Sequence, residues 1–216
     1  MMLSSPATSS RVYALLKNDI LRGRFAPRTT LIERSLADDY GTSVTPIRTA
    51  ASQLVGERLL SLHTGGGYEI PYIGAADLRD LYFWHGQLIR GALNPKRIDA
   101  NQRERMAVDP LPELTTAASV ANATARLFST IAAISSSGEL ACAVASAGER
   151  LSVARLTEPA VLNGVADELR AVQTLTVQGR WSDLVRSIWA YHRRRQRRVV
   201  EIAAAIANPD RGEPSY

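Results

Sequence analysis

Cysteine is almost missing from this chain: Cys142 is the single thiol among 216 residues. One thiol cannot close an intrachain disulfide or form a cysteine-based zinc site, which suits a reducing compartment. Histidine is scarce as well, with His63, His85 and His192 far apart in the sequence. They fall into no triad spacing with Cys142 or a serine, and no paired-carboxylate motif accompanies them, so the pattern argues against an enzyme. Long apolar runs are lacking. Nothing approaches the roughly 18 consecutive apolar residues of a membrane span. The first ten residues are polar and serine-rich, without the apolar stretch of a signal peptide. A soluble, cytoplasmic protein without a cofactor is expected.

What is present is a chain that is 45% hydrophobic and 22% charged. That is enough to bury a core in one large domain or two modest ones. Lysine and arginine number 26 against 21 acidic residues, a net charge of +5. Such a balance permits a polyanionic partner without demanding one.

The order of elements is more informative. Residues 1–9 read as a disordered tail. A helix is predicted over Ser10–Arg22, with Val12, Leu15, Leu16 and Ile20 on one face and Gly23 and Pro27 as its stop. A second helix spans Ile32–Tyr40, buries Leu36 and Ala37, and ends at Gly41. Ser43 is placed to cap a third helix, with Pro46 tolerated in its first turn and Ile47, Ala50, Ala51 and Leu54 on its apolar face. Two extended runs, Leu59–Leu62 and Tyr68–Tyr72, flank the turn His63-Thr64-Gly65-Gly66-Gly67.

A junction falls near Gly74, and a helix from about Asp77 carries Leu78, Leu81, Tyr82, Leu88 and Ile89. Helical patterns then cover about Leu111–Ile134, Glu139–Leu156, Val161–Gln178 and Trp181–Ala207, with breaks at Gly138, Pro159 and Gly179. The expected fold is mainly α. Residues 10–73 form a winged helix-turn-helix of three helices and a β-hairpin wing. Residues 74–208 form an all-α antiparallel bundle, and 209–216 a C-terminal tail.

Two short helices joined by a glycine turn can read DNA by placing the second in the major groove. Side chains near its start reach base edges: here Val44, Thr45, Ile47, Arg48 and Thr49. Arg48 is suited to bidentate bonds with guanine O6 and N7, each good pair worth about 1–3 kcal/mol of discrimination. The hydroxyls of Ser43, Thr45 and Thr49 suit phosphate contacts.

Four stretches carry a family resemblance. Residues 31–41, L-I-E-R-S-L-A-D-D-Y-G, match the signature L-x-E-R-x-L-A-x-x-x-G. Residues 43–50, S-V-T-P-I-R-T-A, match S-R-T-P-V-R-E-A. The wing Gly65-Gly66-Gly67-Tyr68 matches G-x-G, and Ile20 to Pro27 matches I-x-x-G-x-x-x-P. At consistent spacing from Val12 to Ile70, the chain resembles the DNA-binding domain of the GntR family of transcription factors. The resemblance implies that Arg34 and Arg48 contact DNA, with Thr45 and the wing from His63 through Gly65 and Gly66 assisting. Val44 departs from the family's usual arginine, which removes one base or phosphate contact, and Thr49 from its usual glutamate; the resemblance therefore implies the binding mode but not the operator sequence or affinity.

The helical remainder is similar to the FadR-type branch with its FCD effector domain, many members of which hold a divalent metal through an Asp or Asn and three histidines. Carried over position by position, those ligands fall on Ala125 and Ser129 around Phe128, on Leu169, and on His192. Only His192 is a ligand type, so no metal is expected. His192, Trp189 and Phe128 are the candidates for an effector contact, with a core or surface role for His192 as the plainer reading. Cys142 reads as a small core residue. Trp84, Trp181 and Trp189 read as core, with cavity lining as the alternative. The run Arg193-Arg194-Arg195-Gln196-Arg197-Arg198 reads as a solvated helix face, or else as a site for salt bridges, an anionic effector or DNA phosphates.

The sequence therefore points to a homodimeric regulator, expected from the family resemblance to act as a repressor, that binds a near-palindromic double-stranded operator and a small-molecule effector. Three alternatives stand beside it: a constitutive regulator that senses nothing, a helical enzyme fused to a DNA-binding module, and a sequence-tolerant DNA-coating protein.

Overall fold

A computed structural model describes residues 6–94, 109–135 and 137–208. The chain divides into two units, Met1–Ile73 and Gly74–Tyr216. The tail assigned to residues 209–216 and the start of the N-terminal tail lie outside the described residues.

The first unit runs α1 (Pro6–Leu21), β1 (Thr30–Leu31), α2 (Glu33–Asp39), α3 (Val44–Gly56), β2 (Ser61–Leu62) and β3 (Tyr68–Glu69). Its core is one cluster drawn from all three helices and the strands. Val12, Leu16, Ile47, Ala51 and Leu54 within it are fully shielded from water. Each fully buried Leu, Ile or Val side chain contributes about 1.5–3 kcal/mol. α1 lies against α3, and Glu57 ties the pair by accepting bonds from Tyr13 Oη at 2.7 Å and Lys17 Nζ at 2.9 Å. The end of α1 is joined to α2 by Arg24, which bridges Asp19 at 2.6 Å and Asp39 at 3.2 Å.

Two features of this unit depart from the expectation. α1 begins at Pro6, so residues 6–9 extend the helix rather than lying in a tail. The wing is a three-stranded antiparallel sheet in the order β1-β3-β2, not a two-stranded hairpin. Its extra strand, Thr30–Leu31, pairs Thr30 with Glu69 and Leu31 with Tyr68. Two residues are too few to show an alternating pattern, so this strand had no sequence signal.

The second unit contains, among the described residues, α4 (Ala75–Ala92), α5 (Ala117–Ala133), α6 (Gly138–Arg150), α7 (Ser152–Val161), α8 (Val165–Val177), α9 (Trp181–Arg197) and α10 (Val199–Ala207). α4 packs against α5, α6, α9 and α10, and α5 against α6, α7 and α8. No described helix is long and apolar enough to cross a membrane.

Here too the boundaries shift, each for a local reason. α4 starts two residues before Asp77, with Gly74 at its cap position. α5 starts at Ala117, not Leu111, because Thr116 and Ser119 form a reciprocal capping box with bonds of 3.0 and 3.1 Å. That pairing satisfies two free N–H groups of the first turn. Gly138 is the first residue of α6 rather than a break, capped by the Ser137 hydroxyl. The helix expected over Glu139–Leu156 is interrupted at Leu151, and the one over Trp181–Ala207 at Arg198. Pro159 does not break α7 but sits within its last turn.

Candidate nucleic-acid interface and the polar core of the bundle

α3 is amphipathic, with one face committed to the core. Pro46, Ile47, Ala50, Ala51 and Leu54 are buried. The opposite face places Thr45, Arg48, Thr49, Ser52 and Gln53 in solvent at the 3- and 4-residue spacing of a single stripe. Ser43 stands at the cap position with extended backbone, but its hydroxyl makes no capping bond. Thr49 Oγ1 donates back to the Thr45 carbonyl at 3.1 Å. Val44 is half-buried and packs on the core, so it presents less of itself outward than its neighbours do.

Arg48 is the best-defined side chain of the stripe. Its Nε and Nη2 donate to the two carboxylate oxygens of Glu33 at 3.1 and 2.7 Å. This two-pronged pair orients the guanidinium plane while leaving 65% of the side chain exposed. The hydrogen bonds from Arg48 hold the Glu33 carboxyl below the usual carboxylate range. Glu33 lies inside the signature at residues 31–41, yet its partnership with a residue fifteen positions on is visible only in three dimensions. Arg34, next to it on α2, is exposed and makes no ion pair among the described residues.

The wing is built around glycine. Gly66, at φ +92°, donates to the His63 carbonyl at 3.0 Å and closes the turn. His63 Nδ1 accepts from the Gly65 amide at 3.1 Å. Gly67 is the strictest position: at φ +81°, a Cβ would lie 2.8 Å from the Leu31 carbonyl oxygen of β1. Thr64, Gly65 and Gly66 are exposed at the tip. The Tyr68 hydroxyl reaches Ser52 Oγ at 3.4 Å and the Arg48 carbonyl at 3.5 Å, which ties the wing to α3.

The second unit holds a buried polar chain. His192 and His85 are 2% and 0% exposed. His192 Nδ1 lies 2.7 Å from the Ile188 carbonyl, which only accepts, so Nδ1 carries the proton and Nε2 does not. His85 Nδ1, 2.8 Å from that Nε2, must then donate. His85 Nε2 is left as an acceptor, and Arg155 Nη2 donates to it at 3.3 Å. Both rings are therefore neutral. Burial is the main reason: it pushes the His192 imidazole down to about 3 and His85 well below its ordinary value, with the Arg155 charge adding to the shift at His85.

Beside this chain, Arg195 is 1% exposed. It pairs with Glu158 and Glu168, each at 2.8 Å. Glu158 also accepts from Tyr82 Oη at 2.7 Å. The basic run is thus not a uniform solvated face: Arg193, Arg197 and Arg198 are exposed, while Arg195 is enclosed. Phe128 is buried edge-on to His85 and Tyr191, with ring centres 5.0 and 5.1 Å away. Its position is that of a core residue.

The arrangement does not fit the divalent metal of the FadR-type branch. Both nitrogens of His192 are engaged, and the unprotonated nitrogen of His85 accepts from a guanidinium cation. Three further residues differ from expectation. Cys142 is exposed rather than core. Trp84 and Trp189 are 52% and 45% exposed.

The sequence suggested no role for His85, Arg155 or Glu158, and left Arg195 inside a run read as a solvated face or a salt-bridge site. A signal existed for the last: Leu184, Ile188, Tyr191, His192, Arg195 and Val199 continue one buried stripe, with arginine at a position where the helical period calls for an apolar residue.

Three helices followed by a glycine-tipped wing define a winged helix-turn-helix domain, and residues 8–70 match the family described as "Bacterial regulatory proteins, gntR family". The N-terminal unit is therefore a winged helix-turn-helix similar to that of the gntR family. Among curated proteins the chain is 40% identical over 75 residues to the HTH-type transcriptional repressor GlaR of Escherichia coli, covering 35% of this chain and 34% of that one. It is 32% identical over 66 residues to the HTH-type transcriptional regulator McbR of the same organism, over 31% and 30% of the two chains. The chain thus matches about a third of the length of these relatives. Among solved structures, a putative transcriptional regulator GntR from Rhodococcus covers 90% of this chain and 98% of its own, with TM-score 0.67 and 15% identity. E. coli McbR/YncC covers 93% and 99%, with TM-score 0.64 and 16% identity. At these identities the likeness is one of fold.

Proposed function

We propose that this protein is a cytoplasmic, sequence-specific transcriptional regulator of the gntR type. It acts as a homodimeric repressor on a near-palindromic operator, and its helical unit is an FCD-like effector domain without a metal. The observation that carries this reading is the outward stripe of α3. Thr45, Arg48, Thr49 and Ser52 share one exposed face of a helix whose other face is locked in the core. A helix held in this way offers side chains to a major groove without unfolding anything. Arg48 supplies a bidentate donor set for guanine, Arg34 and the hydroxyls of Ser43, Thr45 and Thr49 supply backbone contacts, and the wing from His63 to Gly66 lies along a phosphate strand. Two such helices, related by a two-fold axis, would read two half-sites.

The effector contact falls to Trp189 and to the edge of His192, which border one groove, rather than to Phe128, which is enclosed and borders none of it. The test begins with operator selection from random and genomic duplexes by the full-length protein. Arg48→Ala is expected to lose sequence preference while keeping its oligomeric state in sedimentation. Parent-like affinity for the selected operator would reject this placement of α3, and an absence of any enriched sequence would reject the regulator reading altogether.

A further inference from the structure

We propose that the groove between α4 and α9 is a binding site for a small organic anion with a flat apolar body, held by Arg90 and Arg186. The inference rests on the effector reading above and assigns that effector a chemical class.

The cavity measures about 300 Å³ and, among the described residues, is lined by α4, by Leu93 just past its end, and by α9. That volume stands at the small end of sites that take drug-sized or smaller ligands. Its walls are mostly apolar: Leu93 at the C-terminal cap of α4 and Val185, Ile188 and Trp189 from α9. Gly86 sits where the helices come closest, and a Cβ there would lie 3.1 Å from His192 Cγ. Its missing side chain both permits that approach and leaves the floor flat. The Trp189 indole is 45% exposed, a large apolar face turned partly to water in a concave site. Such a face is suited to stacking against a planar or extended apolar group.

His192 also borders the groove. Both of its ring nitrogens are already bonded, one to Ile188 and one to His85. It can therefore offer only its carbon edge, and polar recognition must come from elsewhere. That leaves the two arginines. Arg90 is exposed and makes no ion pair among the described residues. Arg186 shares the Asp183 carboxylate with Arg180, so one acid stands against two cations there. The lining therefore keeps an excess of positive charge beside an apolar floor. This is the complement of an amphipathic anion, since guanidinium binds a carboxylate through two parallel bonds. A second copy of the same face would set arginine against arginine, so charge disfavours the chain itself as the occupant. A ligand bridging α4 and α9 would also act on α4, the helix that follows the boundary at Ile73 and Gly74.

The experiment uses the full chain with phenylacetate, indole-3-acetate and octanoate as probes and phenylacetamide as the neutral twin. Thermal shift and titration calorimetry are read on the parent and on Arg90→Gln, Arg186→Gln and Trp189→Ala. All three side chains are exposed, and circular dichroism checks that the variants fold. At least one carboxylate is expected to bind and raise the melting temperature. The amide, and each variant with that carboxylate, should bind roughly tenfold or more weakly, the scale of a lost charge-assisted bond. Equal binding by all variants would overturn the site while leaving an effector elsewhere. Equal binding of the amide would overturn the anionic class. Failure of every probe would overturn the inference, and operator binding, measured separately, would still decide the regulator reading. If Trp189→Ala splits an oligomer in sedimentation without weakening a bound probe, the groove is a subunit contact and the inference falls.

Discussion

His85 Nδ1 donates to His192 Nε2 across 2.8 Å in the core of the helical unit, so two imidazoles on α4 and α9 share one proton-ordered contact. Each ring must be neutral for the pair to form. An unfolded histidine titrates near 6.5, whereas burial holds His192 at about 3 and His85 well below normal. The unfolded state thus takes up protons that the folded state refuses. Stability is fully present above about pH 6.5 and is lost as the pH falls below it, by about 1.4 kcal/mol per pH unit for each imidazole. Urea unfolding between pH 7.5 and 5 checks this. Replacing both residues, as His85→Asn with His192→Gln, should flatten the slope, and an unchanged slope would refute the neutral pair.

Among the described residues, Arg195 forms the ion pair of Glu158 in the core, and the Glu158 side chain is only 3% exposed. Removing the guanidinium leaves a buried carboxylate uncompensated, which costs about 3–5 kcal/mol. Arg195→Met is expected to lower the unfolding midpoint by that amount, and Arg195→Met combined with Glu158→Leu to recover much of the loss. A single variant as stable as the parent would show that the pair contributes nothing.

Gly67→Ala tests the wing. The new methyl group meets the Leu31 carbonyl at 2.8 Å while the backbone stays left-handed, a combination that costs about 1–3 kcal/mol. Urea unfolding should show the loss, and weaker operator binding should accompany it. Gly66→Ala, at a position with open space around it, should cost less. The reverse order would mean that the β1–β3 contact is not what the glycine serves.

Arg58→Gly should stabilise the protein. Arg58 follows α3 at φ +60°, and a left-handed non-glycine residue carries about 1–2 kcal/mol of strain. Relief of that strain outweighs the added freedom of glycine in the unfolded chain, giving a net gain below about 1 kcal/mol. A drop in the unfolding midpoint would contradict this.

Glu33→Gln removes the carboxylate that orients Arg48. Binding to random duplex should tighten and its salt dependence steepen, since one more cation is free for phosphate. Preference for the selected operator should narrow, because the guanidinium loses its fixed plane. Fluorescence anisotropy at several salt concentrations separates the two effects, and no change in either would show that the pair is incidental.

Some of these features were open to a reader of the sequence, and others were not. The three helices of the first unit follow from short-range rules: Val12, Leu16 and Ile20 repeat on one face, Gly41 ends α2, and Ser43 and Pro46 start α3. The four motif stretches fixed the order of the elements and so the place of Arg48. The interruptions at Leu151 and Arg198 carry no glycine or proline, and Pro159 carries the strongest breaker yet lies within a helix. Packing decides those cases, because a helix end is set by what the next turn can bury as much as by local preference.

Sequence alone determined the three helices of the first unit and the outward place of Thr45, Arg48 and Thr49, because these depend on periodicity within a dozen residues, whereas the strand Thr30–Leu31 carried no such signal. Only the tertiary structure decided which charges are paired. Glu33 with Arg48, His85 with His192 and Glu158 with Arg195 join residues that are 15, 107 and 37 positions apart. No local pattern encodes such distances. A buried polar group must find a partner or lose its hydration uncompensated, and the partner is whatever the fold brings within 3 Å.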